Sequence, residues 1–392
     1  MGHFPVTQFT RHLPLQPTTF AIGFLFFVNG IVFAAWATNI PFIQERYDLS
    51  EAQIGTVLLV IAAGAVVFMS MTSLFVRQFG SRLVSMVATQ LFAAALAVAF
   101  YVESLTGLFL SVILLGAANG SMDVAMNQQA ALYEAKQRRP IMSRLHGCFS
   151  IGALIGALTT YFAASVGVEP FQQAAAISLI VLGIGALLYS SLLADPTSVQ
   201  NPKNGFSIEL AKHRKLVLLG SLSCLAMMSE GAIADWSTLF LIEYSGLEAG
   251  TAALGFGTYA LLMIVGRFSG DNLTSKIGYR VLGRLSGVLT CIGILLLLFG
   301  GTIPLQFFGF ALLGFGIANL VPVVFSNAAR LKSINPGAGI AFVSVAGYSG
   351  FLIGPAVIGW LAEHVGLDKS LLVVLAAGLV FVLSSRILPA KP

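Results

Sequence analysis

A chain of 392 residues with 57% hydrophobic and only 9% charged side chains cannot wrap itself in a water-soluble surface, since an ordinary soluble domain carries roughly 25% charge. Mean hydropathy is +0.89. The 21 basic and 16 acidic residues leave a net charge of +5, but they are too scattered between apolar runs to make a nucleic-acid surface, so the balance is read as membrane topology and no nucleic-acid partner is expected.

Residues 1–17 form a polar tail with one arginine, two histidines and three prolines. It lacks the apolar core and cleavage site of a signal peptide. Continuous apolar runs then repeat to the C-terminus, each near the roughly 20 residues that a spanning helix needs. Continuous runs point to helices, because a spanning barrel would alternate in short segments. The expected spans are 18–44, 54–76, 83–102, 107–133, 143–167, 171–194, 215–243, 250–270, 281–301, 304–330, 338–363 and 369–388. The fold class is an all-α membrane protein of twelve helices. Residues 195–214 are polar, hold Pro196, Pro202 and Gly205, and divide an N-terminal bundle (18–194) from a C-terminal one (215–388). Residues 389–392 are a short tail.

The basic residues orient the bundle. With both termini cytoplasmic, all of the 21 lysines and arginines except Arg46 and Lys369 fall on the cytoplasmic side, as the positive-inside bias requires. A multi-pass protein of a bacterial inner membrane, its partner the lipid bilayer, is expected. It is expected to be a monomer. The three cysteines (Cys148, Cys224, Cys291) lie in apolar runs and read as packing residues.

The halves repeat one another. Gly80 and Arg82, after the second span, recur as Gly278 and Arg280 after the eighth. In the fourth span Gly116, Asn119 and Asn127 match Gly316, Asn319 and Asn327 of the tenth. In the fifth span Gly152 and Gly156 match Gly350 and Gly354 of the eleventh. Trp36 and Trp236 take similar depths in the first and seventh. Offsets of 198 to 200 point to a duplicated bundle, as in many transporters.

In a bilayer the informative residues are polar ones at depth, because an ionisable group at the centre of a span costs roughly 2.5–3.5 kcal/mol on insertion scales. Asn119, Asp123 and Asn127 in the fourth span are spaced by four, so they share one helix face. That stripe suits hydroxyl or amine groups and a transferable proton, or else an interhelical hydrogen-bond cluster. Glu230 lies mid-span in the seventh helix, and Asp235, roughly 140° further round, is expected on another face. Glu230 is favoured for the cavity. His146, about one turn inside the fifth span, is a proton relay or a helix cap, with Ser150 one turn deeper. Asn29, Trp36, Tyr259, Asn319, Asn327, Ser344 and Tyr348 are candidate substrate contacts with packing as the rival reading, and Trp236 is a candidate for stacking on a sugar-like ring or else an interface anchor. Arg267 and Asp271, one turn apart, read as a conformational latch or a local ion pair. No carboxylate pair has metal-ligand spacing with histidine, and no phosphate-cradling loop is present. No metal or cofactor is therefore expected, nor an enzyme.

The short basic loops around Gly80 and Gly278 resemble the loop signature of the major facilitator superfamily. Asn119-Gly-Ser-Met-Asp123-Val-Ala-Met-Asn127, Ser143-Arg-Leu-His146-Gly147, Glu230-Gly-Ala-Ile-Ala-Asp235-Trp236 and Gly266-Arg267-Phe-Ser-Gly270-Asp271 resemble its MosC/YbjJ-like branch, more distantly fucose permease. The resemblance implies the major facilitator fold, alternating access about a central site, and a latch that includes Arg77, Arg82 and Arg280. Two departures stand out. Arg77 sits where the superfamily usually has an aspartate, and the fourth span lacks the interior arginine of drug/proton antiporters. The expected function is a proton-coupled symporter of a small polar solute, sugar- or cyclitol-like, with Asp123, Glu230, Asp235 and His146 as proton-coupling candidates. The alternatives are a proton-driven exporter and a non-transporting sensor.

Overall fold

The computed structural model describes residues 17–137, 141–194, 212–331, 334 and 336–389. Most of the expected N-terminal tail and linker, the last three residues, and Arg11, Arg138, Arg139, Lys203, Lys332 and Lys391 lie outside them.

Every element in the described residues is helical. In chain order the α-helices are α1 (Pro17–Thr38), α2 (Ile40–Tyr47), α3 (Glu51–Tyr101), α4 (Leu105–Gln137), α5 (Met142–Ser165), α6 (Pro170–Leu188), α7 (Arg214–Ser245), α8 (Ala249–Phe299), α9 (Ile303–Ala318), α10 (Leu320–Ala329), α11 (Pro336–Val365), α12 (Leu367–Ser370) and α13 (Leu372–Ser384), with short 3-10 turns at Tyr189–Ser191 and Ser385–Ile387. Among the described residues, eleven segments are long and apolar enough to cross a membrane. One of them is all 51 residues of α3. At 1.5 Å per residue a straight α3 would run about 76 Å, more than twice the hydrocarbon thickness of about 30 Å. Gly80 breaks it, with φ 80° and ψ 151°, a conformation open to glycine alone. Two arms result, 51–79 and 81–101, and the span count becomes twelve. Gly278 breaks α8 in the same way, with φ 77° and ψ 165°. The duplicated loop glycines of the sequence are thus duplicated chain reversals.

Three expected spans are built from two helices each. The run 18–44 is α1 and α2, parted at Asn39, with Pro41 in the first turn of α2, where its missing N–H leaves no helical hydrogen bond unmade. The run 304–330 is α9 and α10, parted at Asn319. The last span is α12 and α13. The start of α3 is fixed by a capping box in which Ser50 Oγ accepts from the Gln53 amide and Gln53 Oε1 accepts from the Ser50 amide.

Within each half the helices pack through glycine. A Cβ on Gly152 would lie 2.1 Å from the Phe27 carbonyl oxygen in the α1–α5 contact, and one on Gly350 would lie 2.1 Å from the Cys224 carbonyl oxygen in the α7–α11 contact. Backbones this close leave no room for a side chain. The α3–α4 and α8–α9 contacts match too. Gly116 abuts the Ile61 carbonyl and Gly314 abuts the Tyr259 carbonyl. The counterpart of Gly116 in the second half is therefore Gly314, and the expected match with Gly316 shifts by two. Beyond the break at Asn319 the offset becomes 200, since Asn127 and Asn327 each donate to the carbonyl four residues earlier.

The halves close on each other at the end of the bundle away from the basic loops. Gly55 and Gly359 meet there, with a Cβ on Gly359 falling 2.4 Å from the Glu51 carbonyl oxygen. The Ala52 amide donates to Glu363 Oε2 at 3.2 Å. At the basic-loop end the halves part around a cavity.

Candidate functional site

The cavity has a volume of about 1370 Å³ and is walled by both halves. It extends from Trp36 and Asp235 to Ile141, Arg144, Thr274 and Ser275 near the basic loops.

The fourth-span stripe faces it, as its spacing predicts. Asn119, Asp123 and Asn127 of α4 all line the wall. Asn29 of α1 donates its amide to Asn119 Oδ1 at 2.9 Å. Asn127 Nδ2 donates to Asp123 Oδ1 at 3.2 Å and to the Asp123 carbonyl at 2.8 Å. Tyr348 of α11 donates its hydroxyl to Asp123 Oδ2 at 3.2 Å. The carboxyl of one half is thus held by the other half.

A second connection crosses in the opposite sense. Arg267 Nη2 of α8 meets Glu230 Oε1 of α7 at 2.9 Å, and its Nη1 donates to Ser150 Oγ of α5 at 3.1 Å. Ser150 in turn donates to the His146 carbonyl at 3.3 Å. The pair is partly buried, with side-chain exposures of 24% for Arg267 and 16% for Glu230. Such a pair is costly to break from one side, because the survivor is left as an uncompensated charge.

Several expectations change. Arg267 is engaged by Glu230 and Ser150, and the side chain of Asp271, its expected partner, lies outside the described residues. Glu230 and Asp235 are expected on different faces with one of them on the cavity, yet both line it, because the space between the halves takes in a wide arc of α7. Trp236 is fully buried and is no part of the lining. Asn327 is buried on its own helix, donating to the Val323 carbonyl. Arg82 and Arg280 reach partners within their own halves. Arg82 donates to the Tyr189 carbonyl at 2.8 Å and lies over the Tyr189 ring, while Arg280 donates to the Leu388 carbonyl at 3.0 Å. Each anchors a glycine reversal to the last span of its own half. Arg77 is exposed.

The other candidates fall in place around the wall. His146, Ser344 and Asn319 line the cavity. His146 sets its ring edge-on against Phe26, with centroids 5.2 Å apart. Tyr259 and Ser150 instead join Glu230 around a small adjoining cavity of about 20 Å³. Sequence reasoning misses the aromatic wall formed by Phe33, Phe149, Phe268 and Phe351. A lone phenylalanine on an apolar helix carries no periodic signal, so nothing in its spacing marks the cavity side.

Residues 22–331 match the sequence profile of the Major Facilitator Superfamily. The chain belongs to the major facilitator superfamily. It is 41% identical to the membrane protein MosC of Rhizobium meliloti over 370 residues, covering 94% of this chain and 89% of that one. It is 32% identical to an uncharacterized MFS-type transporter of Yersinia pestis over 340 residues, covering 86% and 87%. Its fold matches a crystal structure of the nucleoside transporter NupG with a TM-score of 0.73 at 14% identity, covering 96% of this chain and 99% of that one. The two glycine reversals and the cavity between the halves are this superfamily's architecture in this chain, a multi-pass membrane transporter.

Proposed function

We propose that this chain is a secondary transporter that carries a small polar solute, sugar- or cyclitol-like, together with a proton through a bacterial inner membrane. It works as a monomer with both termini in the cytoplasm. On that orientation the cavity opens inward, and the seal formed by Gly55, Gly359 and Glu363 faces outward. The observation that carries the reading is the hydrogen bond between Asp123 and Tyr348. An intramembrane carboxyl that faces the cavity and is held by the opposite half is placed to link its own proton to the relative position of the halves. Glu230 contributes through Arg267, which ties it to Ser150 across the same boundary. The polar groups along α4 offer acceptors and donors to hydroxyls. The polar segments between spans are too short to hold an ATP-hydrolysing domain, which leaves an ion gradient or the gradient of the solute itself as the energy source.

The test is transport by the purified chain in liposomes. Asp123→Asn is expected to abolish uptake driven by a proton gradient while sparing solute counterflow. Uptake that persists at the wild-type rate with Asp123→Asn removes the proton assignment.

A further inference from the structure

The two halves repeat one another, but their arginines do not. In the first half Arg82 anchors the reversal to the last span through the Tyr189 carbonyl. In the second half three arginines gather round the equivalent turn, Ser385–Ile387. Arg280 Nε donates to the Leu388 carbonyl at 3.0 Å, Arg284 Nε donates to Ser385 Oγ at 3.2 Å, and Arg386 belongs to the turn itself. At the offset that relates Gly80 to Gly278, Arg284 and Arg386 correspond to Met86 and Leu188. One arginine is enough to anchor a reversal, so two are surplus to that task. All three are exposed. The Nη1 and Nη2 donors of Arg280 and Arg284, and the whole guanidinium of Arg386, have no partner among the described residues.

The surplus arginines stand at the end of an apolar groove. The arm of α8 after Gly278 and α13 run antiparallel, since Arg284 meets Ser385 and Cys291 Sγ meets the Leu375 carbonyl. Between these points the backbones come close, and a Cβ on Gly287 would fall 2.8 Å from the Gly378 carbonyl oxygen. A helix turns by about 100° per residue, so in an antiparallel pair the positions just after the contact residues lie on the same side of the contact. Val288 follows Gly287, Leu379 follows Gly378 and Arg386 follows Ser385. These three, with Arg284 one turn before Val288, border one groove. Val288, Leu379 and Leu383 are exposed, and exposed apolar faces of spanning helices meet lipid tails. The groove is apolar along the spans and cationic at the basic-loop end.

We propose that this groove holds an anionic diacyl phospholipid, with its phosphodiester on Arg284 and Arg386 and its acyl chains along Val288, Leu379 and Leu383. Each guanidinium presents paired N–H donors that match two phosphate oxygens. Arg280 adds a third positive charge beside them. A zwitterionic headgroup would bring its own ammonium against these arginines, so a headgroup of net negative charge is favoured. A soluble phosphate has no chains for the apolar part of the groove.

The test uses the full chain in detergent doped with phosphatidylglycerol or with phosphatidylcholine of the same acyl chains. Native mass spectrometry counts the lipids that stay on the protein, and thermal unfolding reads their effect. One copy of phosphatidylglycerol should be retained, and it should raise the unfolding temperature more than phosphatidylcholine does. Added salt should narrow the difference. Arg386→Gln removes a charge that holds no other part of the described structure, and it should weaken phosphatidylglycerol binding about fivefold. Arg284→Gln should do the same. Arg77→Gln, at an exposed position on the basic-loop end of the other half, should leave binding unchanged.

Equal retention of the two lipids by the wild type overturns the site. An equal loss with Arg77→Gln and Arg386→Gln also overturns it, because the whole basic face would then attract anions without a groove. Glycerol 3-phosphate that matches the shift of phosphatidylglycerol at the same concentration overturns the lipid as the occupant. None of these outcomes bears on the solute or the coupling proton.

Discussion

Tyr348 on α11 donates a hydrogen bond to Asp123 on α4 across the boundary between the two six-helix halves, 3.2 Å from oxygen to oxygen. If the bond breaks when the halves rearrange, it biases the protein toward this arrangement. Tyr348→Phe removes the donor and leaves the ring. The cavity-open population should fall by about fivefold relative to other states, the equivalent of about 1 kcal/mol. Spin-label distances between positions 52 and 363, on the two sides of the seal, report that change. A distance distribution identical to wild type would show that the bond contributes nothing to the balance.

The Glu230–Arg267 pair should behave non-additively. Arg267→Met alone leaves Glu230 as a partly buried, uncompensated charge and should cost about 1–3 kcal/mol. Glu230→Gln alone should cost a similar amount. The double variant should recover a large part of the loss, because neither charge remains. Unfolding measured on the four proteins of this cycle gives the coupling directly.

Gly152 and Gly350 should tolerate no side chain. Their added Cβ atoms would fall 2.1 Å from carbonyl oxygens of the facing helices, so Gly152→Ala and Gly350→Ala must push α5 from α1 and α11 from α7. A drop in unfolding temperature of several degrees is expected for each. Gly183 is the control. Nothing lies within 4 Å of its added Cβ, and Gly183→Ala should be neutral or stabilise by about 0.4–1 kcal/mol.

Gly80 and Gly278 carry a backbone cost of another kind. With φ near 80° and ψ above 150°, alanine at either site should cost about 1–3 kcal/mol. The loss should appear as reduced yield of folded protein in detergent, in both variants alike, because the two reversals are copies. A Gly278→Ala protein as stable as wild type would mean that the α8 arms meet at a different angle from the one described.

Much of this architecture is legible in the order of the amino acids. Apolar run length marks the spans, since a bilayer sets the length of each crossing. The loop glycines announce the chain reversals, because only glycine adopts that backbone. Spacing alone places Asn119, Asp123 and Asn127 on one face, four residues being nearly one turn. What spacing does not supply is partnership. Arg267 sits one turn from Asp271 along the chain, yet its guanidinium reaches Glu230 and Ser150 on other helices. Trp36 and Trp236 look like a matched pair, but only Trp36 meets the cavity. Arg82 and Arg280 read as latches, and only the structure shows that they reach the carbonyls of Tyr189 and Leu388 in their own halves.

The twelve crossings, the two halves and the depth of each polar residue follow from the chain's own order, because the bilayer's thickness and the helix's constant pitch translate position along the chain into depth. Which polar groups face one another across the boundary depends on how the helices rotate and pack. Helix pitch relates residues within one helix and says nothing of the angle at which the next helix presents its face.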